Sequence, residues 1–568
     1  MSTSSPPLSA SASPEVVVPR GIFTSRRGRI LQENLTAYLF LFPASILIFL
    51  FGIFPVGFAL YVSLHKWQLV RGKFRGMGNY TKAIDTFAYV SAFWLAIGAL
   101  VVGIITLRKV IRTARERGEN PALWLLPAAV TTAGVFLFVR FTVFLLPEVL
   151  DVGEKLRRQV RTQELIMQLF GDTFQVPAVA EAMWLAIIVL AVGIALAWIV
   201  YREAPSGNDG SYFVNMCLIV GFIAIGVMVL SFTFSEVEAE YAKALEDAQE
   251  ISLWTQIVTI SAGFVLLGLA WQVWKQVGGQ SSNLRTILIM MVAVMLMGGA
   301  WMLIGELPRV IAEGDKDLFQ GLLTTVYYSV FTVPVQLVIS LGLAYILFQD
   351  IRGKVFFRII YFLPYITPAV ASAAVFRILF TNRPEGAVNR LIGLFGIEPQ
   401  AWIQEPHGIF ELLARGVGLT IPGWLEGPSM ALVVIILFSI WTFVGYNTVI
   451  FLAGLGAIPG EMYEAAKVDG AGRWSLFRHI TLPLLSPTTF FLSLIAIIGT
   501  FKAFNHIWVL RDAGALGTTD TASVVIFLEF FRNSKLGYAS SMAFVLFGVI
   551  LSLTVLQNRI ASRRVFYG

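Results

Sequence analysis

Ile458-Pro459-Gly460-Glu461-Met462-Tyr463-Glu464-Ala465-Ala466-Lys467-Val468-Asp469-Gly470-Ala471-Gly472, continuing through Phe477, Ile480, Leu482-Pro483 and Pro487, is a short charged stretch held between two long apolar runs. Pro459 suits the first turn of a helix, where its missing amide hydrogen costs nothing. Met462, Ala465 and Ala466 follow at i, i+3 and i+4 and give a small apolar face. Glu461, Glu464 and Asp469 supply carboxylates, and Gly470 allows a sharp turn into a second short helix. Pro483 and Pro487 then restart the chain into the next apolar run. Small residues let a partner come close, and a carboxylate offers that partner's arginine an anchor. The stretch reads as a cytoplasmic loop between two membrane crossings, shaped to be gripped from outside the bilayer.

The flanking runs set the fold class. Apolar residues make up 57% of the 568 and charged residues 14%, against about 25% charged in soluble domains. Apolar runs fall near 35–64, 88–107, 121–147, 179–201, 212–234, 254–274, 285–304, 319–349, 355–380, 429–456, 486–508 and 539–558. A helix needs roughly 20 apolar residues to cross a bilayer, and the alternation of a β-barrel is absent. An all-α, polytopic helical membrane protein with about twelve spans is predicted. The first thirty residues are rich in Ser and Pro, then basic at Arg20, Arg26, Arg27 and Arg29. Residues 1–34 therefore read as a disordered cytoplasmic tail. Leu35–Leu64 is about twice the length of a signal-peptide core, so it reads as an uncleaved first helix.

Charge orients the spans. With both termini in the cytoplasm, Arg108, Lys109, Arg112, Arg115 and Arg117 face inward, as do Arg352, Lys354, Arg358, the 458–487 loop and the tail Arg559, Arg563 and Arg564. The acidic stretches Glu236–Glu250 and Glu306–Asp317 face outward, as the Lys/Arg bias requires. One loop runs against this trend: 65–86 carries Lys66, Arg71, Lys73, Arg75 and Lys82 yet is placed outside. The +7 net charge thus concerns topology, and no nucleic-acid partner is expected. Arg140 and Arg377 lie inside apolar runs near their ends and read as snorkelling side chains.

Residues 88–318 repeat themselves. Phe93-Trp94-Leu95-Ala96-Ile97 recurs as Met183-Trp184-Leu185-Ala186-Ile187 and, more weakly, as Leu253-Trp254. A glycine follows each tryptophan by nine residues, at Gly103, Gly193 and Gly263. Each copy runs on into a second apolar helix, so three helical hairpins are predicted.

Catalytic signatures are missing. There is no glycine-rich phosphate loop, no paired-histidine metal spacing and no serine elbow. The single Cys217 allows neither a disulfide framework nor a metal cluster. No catalytic residue, metal or cofactor is assigned to this chain.

The 458–487 stretch resembles the EAA loop of binding-protein-dependent ABC importer permeases, which docks into a cleft on an ATPase subunit. The chain more widely resembles the carbohydrate-uptake permeases of that class, the maltose, glycerol-phosphate and multiple-sugar group. Tyr38–Pro43 through Phe54-Pro55 and Ser63-Leu64 is similar to that family's first helix, and Gly76–Tyr80 to the segment after it. Phe362-Leu363-Pro364 with Pro368 is similar to the third helix, Thr500–Leu510 to the fifth, and Gly537–Ser541 to the start of the sixth. The resemblance implies a six-helix core in two pieces, 35–87 and 319–568. About six extra helices at 88–318, which the family does not have, are inserted after the first core helix.

That resemblance implies the ATPase-coupling residues Glu461, Glu464, Ala465, Ala466, Asp469 and Gly470. It places the substrate path on the fourth and fifth core helices, at Ser439, Thr442, Phe443, Tyr446, Gly499, Lys502, Ala503 and His506. Trp441 and Asn447 are expected to face elsewhere. Lys502 and His506 lie one turn apart in an apolar span, where such residues rarely meet lipid. Either they line the pore and meet an anionic or heavily hydroxylated solute, or they are held structurally within the bundle. The implied setting is a prokaryotic inner membrane. The implied partners are membrane lipid, a second permease subunit, an ABC ATPase dimer that uses ATP and Mg, and an extracytoplasmic sugar-binding protein. A stand-alone ion- or proton-coupled transporter is the alternative, with Lys502 and His506 as its relay. It leaves the loop unexplained.

Overall fold

The computed structural model describes residues 26–68, 72–155, 162–203, 211–246, 253–277, 282–349 and 351–561. Arg20, Arg71, Glu250, Arg563 and Arg564 lie outside them. Among the described residues the regular elements are all helical, and two isolated antiparallel bridges, His65 with Phe74 and Gly408 with Ser429, stand in place of any sheet. Ten helices are long and apolar enough to cross a membrane, and two bent pairs raise the number to twelve. This is a polytopic all-α protein.

The described residues up to Tyr61 form one compact unit. Helix α1 (Arg26–Ile48) passes through Pro43 into a π-helical turn, Phe49–Ile53, and on into α2 (Phe54–Ser63). The helix therefore begins well before residue 35, because Arg26–Glu33 is rich in good helix formers (Arg, Leu, Gln, Glu).

The second unit, 62–568, opens with a short helix, α3 (Gly78–Ile84), followed by seven helices. These are α4 (Phe87–Arg117), α5 (Leu125–Lys155), α6 (Gln163–Gln175), α7 (Pro177–Glu203), α8 (Ser211–Glu246), α9 (Leu253–Trp274) and α10 (Ser282–Glu313). Helix α9 packs along α10, but α4 packs along α8 and α5 along α7. Consecutive hairpins therefore hold for α9 and α10, whereas the first two units exchange their second helices.

The repeated glycines explain why this exchange is possible. A Cβ on Gly103 would lie 3.1 Å from the Ile223 side chain, and one on Gly226 would lie 2.7 Å from Leu100 and 3.0 Å from the Ala96 carbonyl. Gly193 is pressed against Thr131, Gly134 against Leu190, and Gly263 against Leu303. All three glycines of the repeat thus sit at helix crossings, where small residues let backbones approach without any hydrophobic drive from lipid.

The segment after α2 ties several helices together at one end of the bundle. Gly76 takes φ +56°, and the Met77 amide donates to Glu236 Oε2 of α8 at 2.8 Å. A side chain on Gly76 would strike that carboxylate. Asn79 Nδ2 donates to the Ser63 and His65 carbonyls, and the Lys82 ammonium lies 3.9 Å from the Tyr538 ring centroid. Of the basic residues in the loop that runs against the orientation rule, Lys82 meets an aromatic ring, and Arg75 and Lys82 share a recess with Asp85, Glu240 and Glu313.

The remaining helices begin with α11 (Lys316–Phe348), α12 (Lys354–Ile366), α13 (Ala369–Leu379), α14 (Ala387–Gly393), α15 (Ile409–Gly416) and α16 (Met430–Gly456). They continue with α17 (Gly460–Val468), α18 (Arg473–Leu476), α19 (Leu482–Leu484), α20 (Ser486–Phe501), α21 (Asn505–Leu510), α22 (Ala522–Phe527) and α23 (Leu536–Ala561). Helices α11 and α16 run parallel, with Tyr328 beside Ser439 and Ser340 donating to the Val444 carbonyl at 3.0 Å.

Two runs read as single spans are broken. Helices α12 and α13 meet at 94°, because Pro368 drives Thr367 into an extended conformation, φ −67° and ψ 138°. The run 486–508 stops at Phe501, and Lys502–Phe504 separate α20 from α21. On α16, Gly445 lies so close to α12 that an added Cβ would be 1.7 Å from the Tyr361 carbonyl oxygen.

Candidate transport cavity and coupling loop

The 458–487 stretch folds as α17, a turn, α18, a π-helical turn at Phe477–Thr481, then α19 into α20. Gly470 takes φ +81°, the left-handed turn that its lack of a Cβ permits. No residue of α17 or α18 is buried. Glu461, Glu464, Ala465, Asp469 and Gly470 are exposed and Ala466 is half-buried, while Val468 and Trp474 stand 87% and 69% exposed.

The base of the loop is fixed. The Tyr463 and Thr481 hydroxyls are hydrogen-bonded at 3.0 Å, Phe477 packs edge-on to Tyr345 of α11 at 5.1 Å, and Ile458 packs with Phe451, Leu455 and Leu485. An unpartnered two-helix knob therefore stands on a rigid footing joined to α11, α16 and α20.

Between α11, α12, α16 and the α20–α21 break lies a cavity of about 420 Å³, within the range of small-molecule sites. Phe443, Tyr446, Gly499, Lys502, Ala503 and His506 line it. Two of the expected path residues do not. Thr442 donates to the Phe438 carbonyl of its own helix. Ser439 is fully buried and supports His506 from behind. Its Oγ lies 2.6 Å from the Tyr328 hydroxyl and 3.1 Å from His506 Nε2, and Tyr328 lies 2.9 Å from the same nitrogen. With its ring stacked on Phe438, His506 is both structurally held and part of the cavity wall.

The cavity also draws in residues outside the expected set. Tyr365 of α12 stacks on Tyr446, centroids 4.6 Å apart and planes 24° apart, with Phe443 at 6.0 Å. Asn447 lines the wall, contrary to the expectation that it faces away. It follows Phe443 by one helical turn, so the helical period places it on the same face. Trp441 packs on Phe376 and Phe438 instead. Thr332 and Gln336 of α11 complete the lining. Thr332 Oγ1, Gln336 Oε1 and Asn447 Nδ2 are buried without a hydrogen-bond partner among the described residues.

A second recess of about 480 Å³ opens beside α21 and α22, where Arg511 makes a two-pronged pair with Asp520 at 2.6 and 2.8 Å. That pairing raises the Arg511 pKa above its ordinary value. Arg377 bonds to the Val509 and Arg511 carbonyls and to Asp512, so it caps the end of α21.

Residues 310–566 match the family model described as the binding-protein-dependent transport system inner membrane component. The probable ABC transporter permease protein YesP of Bacillus subtilis (strain 168) is 33% identical over 257 residues, 45% of this chain and 75% of that one. The chain belongs to this family.

The permease is also 31% identical to the lactose transport system permease protein LacF of Rhizobium radiobacter, over 44% of this chain and 78% of that one. The trehalose/maltose transport system permease protein MalF of Thermococcus litoralis is 26% identical over 50% of this chain and 92% of its own length. A solved bacterial alginate ABC transporter, in complex with an alginate pentasaccharide-bound periplasmic protein, superposes with a TM-score of 0.37 at 21% identity, covering 44% of this permease and 80% of that chain.

Proposed function

We propose that this permease forms one half of the translocation pore of an ATP-driven importer for a sugar or sugar-like solute. It would be paired with a second permease and driven by two ATPase chains that hydrolyse ATP with Mg. A sugar-binding protein on the outer face would deliver the solute, and the chain would sit in the inner membrane with both termini in the cytoplasm. Its own residues catalyse nothing.

The exposed knob on a fixed footing carries the coupling reading. Glu461, Glu464 and Asp469 face solvent on α17 and its turn, while Tyr463 ties their base to the π-helical turn and Phe477 ties that turn to α11. A partner holding the knob moves the helices around the cavity as levers, and it shifts the pore between states only if it grips those states with different affinity. Lined by stacked tyrosines and buried unsatisfied polar atoms, the cavity suits a carbohydrate. Aromatic faces meet its C–H surface, and the free amide and hydroxyl groups meet its hydroxyls. Family membership and the sugar-transport names of the relatives support the same reading.

Glu464→Lys tests the coupling. The variant is expected to insert into the membrane normally and to lose its ATPase companion on affinity purification. Unchanged co-purification would remove Glu464 from the contact.

A further inference from the structure

The seventeen residues that line the cavity include Lys502, and none is acidic. Two other polar recesses among the described residues differ. Beside α21 and α22, Arg511 and Arg532 share their recess with Asp317, Asp520 and Glu529. Under α3, Arg75 and Lys82 share theirs with Asp85, Glu240 and Glu313. The cavity on the proposed path thus carries an uncompensated positive charge, and Lys502 forms no ion pair among the described residues.

Lys502 is exposed and lines the cavity. Lys502 ends α20, its amide donating to the Ile498 carbonyl at 3.2 Å, immediately before the break that leads to α21. Gly499, one turn earlier, has open space where a side chain would project, and both residues line the cavity. Across the cavity lie the Tyr365–Tyr446 stack and the unsatisfied Gln336 and Asn447 groups.

We infer that the solute carried through this cavity is an acidic saccharide, a sugar unit bearing a carboxylate or phosphate that Lys502 receives while the tyrosines take its ring face. This rests on the proposed sugar-importer reading and narrows its substrate class. A neutral sugar offers the ammonium only hydroxyl oxygens, without the opposing charge that an anion supplies. An ammonium facing an anion makes a hydrogen bond roughly twice as strong as a neutral one, and one that a neutral sugar cannot reproduce.

The test uses the full chain, purified from its native membrane with its companions, freed of any extracytoplasmic binding protein and placed in nanodiscs. Calorimetry compares digalacturonate, galactose 6-phosphate and neutral digalactose on wild type, Lys502→Gln and Tyr446→Ala. At least one acidic sugar is expected to bind about tenfold or more tighter than the neutral one, and comparing the two identifies carboxylate or phosphate as the preferred anion. Lys502→Gln is expected to erase the gap between acidic and neutral sugars, and Tyr446→Ala to weaken binding of every sugar. Equal affinities in wild type, or a gap that survives Lys502→Gln, would overturn the acidic assignment alone. No binding of any sugar, with Tyr446→Ala indistinguishable from wild type, would overturn the carbohydrate path as well.

Discussion

Replacing Gly445 with alanine addresses the contact on which the cavity's aromatic wall depends. The added Cβ would lie 1.7 Å from the Tyr361 carbonyl oxygen and 2.5 Å from its carbon, whereas ordinary contact begins near 3.4 Å. Both atoms belong to backbone, so no rotamer change relieves the clash, and α12 must move away from α16 by about 1.7 Å. Overpacking of this kind costs about 1–3 kcal/mol. Tyr365, one turn beyond Tyr361 on α12, is carried off Tyr446, so the stack at 4.6 Å opens to beyond 6 Å by about the same shift. Thermal aggregation of the detergent-solubilised variant, followed by fluorescence size-exclusion chromatography, is expected to begin several degrees lower. Sugar binding is expected to weaken even though the residue touches no solute. Gly456→Ala, at a position where a Cβ meets nothing within 4 Å, is the control. Equal melting of Gly445→Ala and wild type would refute the close crossing of α12 and α16.

Two further outcomes follow from the polar contacts. Tyr328→Phe removes the hydroxyl that meets both Ser439 and His506 but leaves those two bonded to each other, so a loss of about 0.5–1.5 kcal/mol is expected, measured by urea or SDS unfolding in mixed micelles. Glu236→Ala removes the carboxylate held by the Met77 amide. Hydrogen exchange at Met77 should then speed up about ten- to a hundredfold, the range for a hydrogen bond to a charged group, while exchange at Tyr446 in α16 stays unchanged.

The helices were legible because membrane spans announce themselves by length and hydropathy alone. The two short helices of the 458–487 stretch were legible because the signals that shape them, Pro459, Gly470 and Pro483, are local in the chain. Gly103, Gly193 and Gly263 were visible as a pattern, yet which helix fills each furrow was not, because equivalent units compete for the same partners and tertiary packing decides between them. The cavity shows the same division. Phe443, Tyr446 and Gly499 were implied by the resemblance, on the fourth and fifth core helices, whereas Tyr365, Thr332 and Gln336 enter from α11 and α12, where no motif marks them. Asn447 was within reach of the helical period, one turn beyond Phe443. The bend at Thr367–Pro368 was signalled by the proline, although an uninterrupted apolar run concealed it.

The crossed pairing of the four helices α4, α5, α7 and α8 carries a consequence for biosynthesis. The inner couple can close as soon as the second of them emerges from the ribosome, but Gly103 must wait for Ile223, about 120 residues downstream. At ordinary translation speeds that interval is about 6–25 seconds. Throughout it the earliest of the four stands in the bilayer with an unfilled groove, so the machinery that inserts this chain has to shelter a lone helix until its mate arrives.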